Sequence, residues 1–125
     1  MILVDTSVWV DHLRNGDARL ADLLERGSVV MHPFVVGEIA CGSLTHRASI
    51  LELLRELPTA VIAESEEALG FIERHSLHGK GIGYVDIHLL ASVALTQGAR
   101  LWTRDKRLQA AADDLGCAYQ ETSSR

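Results

Sequence analysis

Met1-Ile2-Leu3-Val4-Asp5-Thr6-Ser7 opens the chain and decides how the rest of it is read. Ile2-Leu3-Val4 is a short apolar run of the kind that forms a buried strand, and a short helical stretch through Trp9, Val10 and Leu13 follows it. No basic region precedes the apolar run and a carboxylate closes it, so it reads as a first strand and not as a signal peptide. The same alternation continues along the chain. Strands are expected at Met1 to Val4, Ser28 to His32, Thr59 to Ile62, Arg100 to Thr103 and, shorter, Cys117 to Tyr119. Between them lie stretches with helical spacing, marked by Leu20, Leu23 and Leu24, then Ile50, Leu53, Leu54 and Leu57, then Leu69, Ile72 and His75. Gly27, Gly98 and Gly116 each follow such a stretch and read as helix stops. Strands alternating with helices predict an α/β sandwich around a mainly parallel sheet, here five-stranded and three-layered, in one domain over 1–125.

Composition narrows the class. With 125 residues, 47 % of them hydrophobic, the chain can bury a real core. No apolar stretch reaches the roughly 18–20 residues of a membrane span. The net charge of −5 argues against strong non-specific attraction to nucleic acid or to an anionic membrane, but it does not exclude a nucleic-acid substrate. Cys41 and Cys117 lie in apolar settings without metal-type spacing, which predicts buried thiols in a reducing cytoplasm.

Four acids carry the chemistry. Asp5 closes the first strand, Glu38 is the one charge in Pro33-Phe34-Val35-Val36-Gly37-Glu38-Ile39-Ala40-Cys41-Gly42, Asp86 lies early in Tyr84 to Ala94, and Asp105 follows Leu101-Trp102-Thr103. A buried carboxylate is costly unless it is paired or bound to a cation. Each acid also has a plainer reading. Asp5 and Asp105 could cap helices, with Thr6 or Ser7 able to cap in place of Asp5. Asp86 could serve the helix dipole, and Glu38 could have a buried basic partner. In an open parallel sheet, ligands bind beyond the carboxyl ends of the strands where strand order reverses, and Asp5 and Asp105 are both expected at such ends. Like charges about 4 Å apart repel by on the order of 4 kcal/mol at an effective dielectric of 20, so four carboxylates in one crevice need protons or cations. All-oxygen ligation suits Mg²⁺ or Mn²⁺. Zinc fits less well, because no His or Cys pair has suitable spacing.

The order and spacing of Asp5-Thr6-Ser7, Glu38, Gly83-Tyr84-Val85-Asp86-Ile87-His88-Leu89-Leu90-Ala91 and Thr103-Arg104-Asp105 resemble the motifs of PIN-domain ribonucleases, above all the VapC-type toxins of prokaryotic toxin–antitoxin pairs. The resemblance covers essentially the whole chain. Leu108 stands where the family often has an aromatic residue. The resemblance implies a cytoplasmic, metal-dependent endoribonuclease with Asp5, Glu38, Asp86 and Asp105 as its acidic metal site. Asp5 and Asp86 would be the direct Mg²⁺ ligands, Glu38 and Asp105 would complete the shell, bind a second ion or hold metal-bound waters, and Thr6, Ser7 and Thr103 would support the site by hydrogen bonds. Water would attack the phosphodiester and leave 5′-phosphate and 3′-hydroxyl ends. It also implies a homodimer and a cognate VapB-like antitoxin, with an apolar groove for that partner near Trp9, Val10 and Leu13 and the Leu51 to Leu57 helix.

The other features are weaker. Gly79-Lys80-Gly81-Ile82-Gly83 lacks the ending of a P-loop and reads as a flexible approach to the Asp86 helix. Arg14, Lys80, Arg104, Lys106 and Arg107 are the candidates for phosphate contacts. Trp9 and Trp102 could stack on bases, although their apolar flanks favour the core. His88 could act as a general base, but a core or surface role suits it better. A receiver-like domain would need an Asp after Ala60-Val61-Ile62, where Ala63-Glu64 stands, and a haloacid-type phosphatase would need one at Ser7. The rivals that remain are a non-catalytic PIN-like binding module and a housekeeping RNA-processing nuclease.

Overall fold

Leu3 and Val4 are completely buried and Ile2 nearly so. Successive strand residues point to opposite faces, so both faces of the first strand must be covered. The computed structural model describes residues 1–121 and shows how. Strand β1 (Ile2–Val4) is central, with β2 (Val29–Val30) on one side and β3 (Arg100–Trp102) on the other, all parallel. Ile2 and Leu3 pair with Val29 and Val30, and Ile2, Leu3 and Val4 pair with Arg100, Leu101 and Trp102. Helices α1 (Thr6–Asn15) and α2 (Ala18–Glu25) connect β1 to β2. Helices α3 (Pro33–Ala40), α4 (Arg47–Arg55), α5 (Ser65–His75) and α6 (Tyr84–Leu95) lie between β2 and β3, and α7 (Lys106–Asp114) follows β3. Helix α6 packs on β3 and on α5, while α3 packs on α1 and α4.

Among the described residues the sheet has three strands, where the sequence predicts five. The two outer segments are present but each makes a single parallel bridge, Met31 with Thr59 and Leu101 with Ala118. Past each bridge the chain finds other partners. The Val61 N–H donates to Thr96 Oγ1 at 2.9 Å, at the end of α6, instead of to a strand. Beyond Ala118, Glu121 accepts from Trp102 Nε1 at 2.7 Å and from the Arg104 guanidinium. Side chains thus take over the edges of the sheet.

Local chemistry sets the helix ends. Pro33 occupies the first turn of α3, where its missing N–H costs nothing. Gly27, Gly98 and Gly116 follow helices with positive φ, as expected of stops. The expected stripes need two corrections. Leu53 is 64 % exposed and Leu69 is also exposed, so α4 buries Leu54, and α5 turns Ala68 and Phe71 inward. Cys41 is exposed because it caps the surface end of α3, Cys117 is half-buried, and both thiols are free. Among the described residues, no helix is long and apolar enough to cross a membrane.

Candidate metal centre

The strand order β2-β1-β3 means that the chain leaves β1 to one side and later returns on the other. The crevice beyond the carboxyl ends of β1 and β3 is therefore the switch point where such sheets bind ligands. Asp5 follows β1 there, and its N–H continues the ladder by donating to the Trp102 carbonyl at 2.8 Å. Thr103 follows β3 and its hydroxyl donates to Asp5 Oδ2 at 2.8 Å.

Asp5 is 6 % exposed and is itself the N-cap of α1. Its Oδ2 accepts from Ser7 Oγ at 2.7 Å, from Thr103 Oγ1 and, weakly, from the Ser7 N–H at 3.4 Å. Each hydroxyl has one proton to give, and both go to this oxygen, so the 3.4 Å approach of Ser7 Oγ to Thr103 Oγ1 carries no donor of its own. Among the described residues, no donor reaches Oδ1. Capping and ligand-facing roles therefore coexist in one side chain, divided between its two oxygens.

The other acids are tied down one by one. Glu38 Oε1 accepts from Thr6 Oγ1 at 2.6 Å, which joins α3 to the first turn of α1. Asp86 sits in the first turn of α6 and its Oδ2 accepts from the Gly83 N–H at 3.3 Å. Asp105 caps α7 through Oδ1 and the Leu108 N–H at 3.0 Å, while its own N–H donates to Thr103 Oγ1 at 3.1 Å. Leu108 is fully buried and serves the core. Burial first, and then the charge of Asp5, push the Asp86 carboxyl up to about 6, with further contributions from Asp105 and Glu38 against the lowering effect of the Gly83 N–H. Asp5, Asp105 and Glu38 thus all bear on the ionisation of Asp86.

Of the four acids, only Asp5 is buried. Glu38 and Asp105 are exposed and Asp86 is half-buried. Helix α3 shows Phe34, Gly37 and Glu38 to solvent, so Glu38 needs no buried basic partner. Among the described residues, no three His, Cys, Asp or Glu side chains come close enough together to enclose an ion. The donors still suit a hard cation. They are carboxylates and hydroxyls, Asp5 has an oxygen free of donors, and Asp86 carries the repulsion of three like charges. Magnesium takes one or two carboxylates and fills its octahedron with water, so a loose acidic crevice fits it better than a closed cage would.

Around the site, Arg104 is not available for phosphate. Its guanidinium donates to Asp11 at 2.7 Å, Asp17 at 2.7 Å and Glu121 at 2.9 Å, and lies 5.5 Å from the centre of the Trp102 ring. Its main-chain N–H donates to Ser7 Oγ at 3.0 Å. Sequence reasoning missed this role, because its partners lie as far as 93 residues away. Lys80, Lys106 and Arg107 remain exposed and form no ion pair among the described residues. Arg107 lies against Gly81, whose φ is +75°, in the turn that leads into α6. Trp9 and Trp102 are buried in the core. His88 is buried too, its ring held between Phe34 and Tyr84.

Residues 2–114 match the PIN domain family. Over 124 residues, 99 % of this chain and 100 % of the relative, the sequence is 50 % identical to Ribonuclease VapC32 of Mycobacterium tuberculosis, in strain CDC 1551 / Oshkosh and equally in strain ATCC 25618 / H37Rv. A parallel sheet that gathers acids at its switch point, the family match and half-identity across the full length lead to one conclusion: the chain belongs to the PIN-domain family, among its VapC-type members.

Proposed function

We propose that this chain is a toxin of a toxin–antitoxin pair, acting in the prokaryotic cytoplasm as a Mg²⁺-dependent endoribonuclease. The observation that carries the reading is the shared field of Asp5, Glu38, Asp86 and Asp105 beyond the ends of β1 and β3. Asp5, through Oδ1, and Asp86 would hold the ion, with Glu38 and Asp105 completing its surroundings and Mn²⁺ able to substitute. When bound, the cation supplies a Lewis acid that neutralises phosphate charge and makes water a better nucleophile. The chain's own groups keep the ligands in place. Ser7 and Thr103 occupy Asp5 Oδ2, Thr6 anchors Glu38, and the Leu108 N–H fixes Asp105.

A VapB-like antitoxin has a surface to occupy. Trp9, Leu13, Leu24, Ile50, Leu53 and Leu57 line a largely apolar groove between α1 and α4. Leu13 and Ile50 also line a cavity of about 490 Å³ that extends to Arg14 and Glu38. A segment lying in this groove could deliver an Arg or Lys to the carboxylates in place of metal. A homodimer is part of the same reading.

The test is cleavage of total cellular RNA by purified chain with Mg²⁺, with EDTA, and with Asp5→Asn or Asp86→Asn. Discrete cuts with 5′-phosphate ends, abolished by EDTA and by either substitution, are expected. Intact RNA from folded, metal-loaded protein would overturn the reading in favour of a module whose acids receive a partner's basic side chain.

A further inference from the structure

Of the chain's two Phe, two Tyr and two Trp, only Phe34 and Tyr84 are exposed, at 40 % and 47 %. They are neighbours in space although they lie on different helices. His88 separates them, with its ring centre 5.0 Å from that of Phe34 and 4.6 Å from that of Tyr84, both edge to face. The ring centre of Phe34 is also 5.0 Å from that of the fully buried His32, whose Nδ1 accepts from the Phe34 N–H at 3.0 Å. Four rings thus form one continuous row from the start of α3 to the start of α6. The two buried rings, His32 and His88, alternate with the two exposed ones and brace them.

The row lies beside the acids. Phe34 precedes Glu38 by one helical turn, about 6 Å along the axis of α3. Tyr84 shares the first turn of α6 with Asp86. Aromatic faces hold single-stranded nucleic acid by stacking on bases, irrespective of sequence. We propose that Phe34 and Tyr84, braced by His88, form a base-stacking platform that seats single-stranded RNA next to the acidic site. This rests on the ribonuclease reading and adds to it a way of gripping substrate that does not depend on charge. Such a grip suits a chain of net charge −5, whose field does little to attract RNA.

The experiment measures binding apart from cleavage. A fluorescein-labelled, mixed-sequence 20-nucleotide RNA is titrated with the full chain in EDTA and followed by anisotropy, for wild type, Phe34→Ala, Tyr84→Ala, Tyr84→Phe and, as a control, Leu69→Ala on exposed α5. Each alanine at the platform should weaken binding roughly 5- to 150-fold, the range for loss of one stacked base. Tyr84→Phe and Leu69→Ala should bind as wild type, and Mn²⁺ affinity should be unchanged throughout. Ultraviolet cross-linking of wild type to 5-iodouridine RNA should give adducts at Phe34 or Tyr84, a readout that needs no variant to fold. Adducts only elsewhere, or alanine variants that bind normally, would overturn the platform. So would alanine variants that lose binding only in step with dissociation of a dimer, which would give the face to a second copy. Wild type that cross-links through these rings yet cuts no RNA with Mg²⁺ would sink the nuclease reading and leave the platform standing. Wild type that cuts, with alanine variants that bind normally, would do the reverse.

Discussion

Thr103 links two of the four acids. It is almost fully buried, gives its one proton to Asp5 and takes one from the Asp105 N–H, so a single hydroxyl joins two of the four carboxylate-bearing turns. Thr103→Val keeps the shape, deprives the buried Asp5 of a donor and leaves the Asp105 N–H without this acceptor. The expected cost is about 1–3 kcal/mol in urea unfolding, with weaker Mn²⁺ binding, whereas Thr103→Ser should stay near wild type. An equally stable Thr103→Val would show that the hydroxyl is incidental. At this scale the sequence drew attention to four acids but did not reveal their exposure. Asp5, Glu38, Asp86 and Asp105 stood out because each adjoins an apolar run, yet Glu38 and Asp105 proved exposed. An apolar neighbour on a helix predicts burial only if that face meets the core, and in α3 both Phe34 and Gly37 face out.

Among the elements, α3 shows how a local rule carries a functional group. His32 caps the helix with Nδ1, Pro33 starts it, and Glu38 is thereby set opposite Thr6. Burial, and then the nearby His88, push His32 down to about 4, so it is neutral in the folded chain at neutral pH. A base whose folded pKa is depressed binds its proton more readily when unfolded. Stability is therefore full above the ordinary value of 6.5 and falls as pH drops from there towards about 4. A shift of this size corresponds to about 3 kcal/mol over that window. His32→Asn keeps a capping oxygen and should flatten the decline in melting temperature between pH 6.5 and pH 4. An unchanged acid limb would mean that other groups govern it. The outer strands show the opposite case. Thr59 and Ala118 fall in the expected strands, but how far each pairs depends on Thr96 Oγ1 and Glu121, distant groups that no local pattern announces.

Across the whole molecule, Arg104 ties together parts that the alternation of strands and helices leaves separate. It joins α1 through Asp11, the cap of α2 through Asp17, the end of β3 through Trp102, and the segment after Ala118 through Glu121. The bond from Arg104 lowers the Asp17 carboxyl, and the bonds from Arg104 and Trp102 outweigh burial to lower Glu121. Carboxyls with depressed pKa values contribute stability above their ordinary values of 3.8 and 4.5 and lose it as pH falls through the folded ones. Arg104→Met should therefore lower the melting temperature at pH 7 by more than it does at strongly acidic pH. The Asp17 side chain, only 18 % exposed, would be left without its cation. The same neutralisation makes a distinct prediction about RNA. A guanidinium already matched to three carboxylates displaces no counterions from a phosphate backbone, so Arg104→Met should leave the slope of log binding constant against log salt unchanged. Arg107, with no ion pair among the described residues and resting on the turn before Asp86, is a phosphate contact on this view. Arg107→Gln should reduce the slope by about 1 while the melting temperature stays near wild type. Anisotropy titrations from low to high KCl in EDTA separate the two. A reduced slope for Arg104→Met, or none for Arg107→Gln, would mean that RNA runs past the outer face of the Arg104 network and not along the turn into α6.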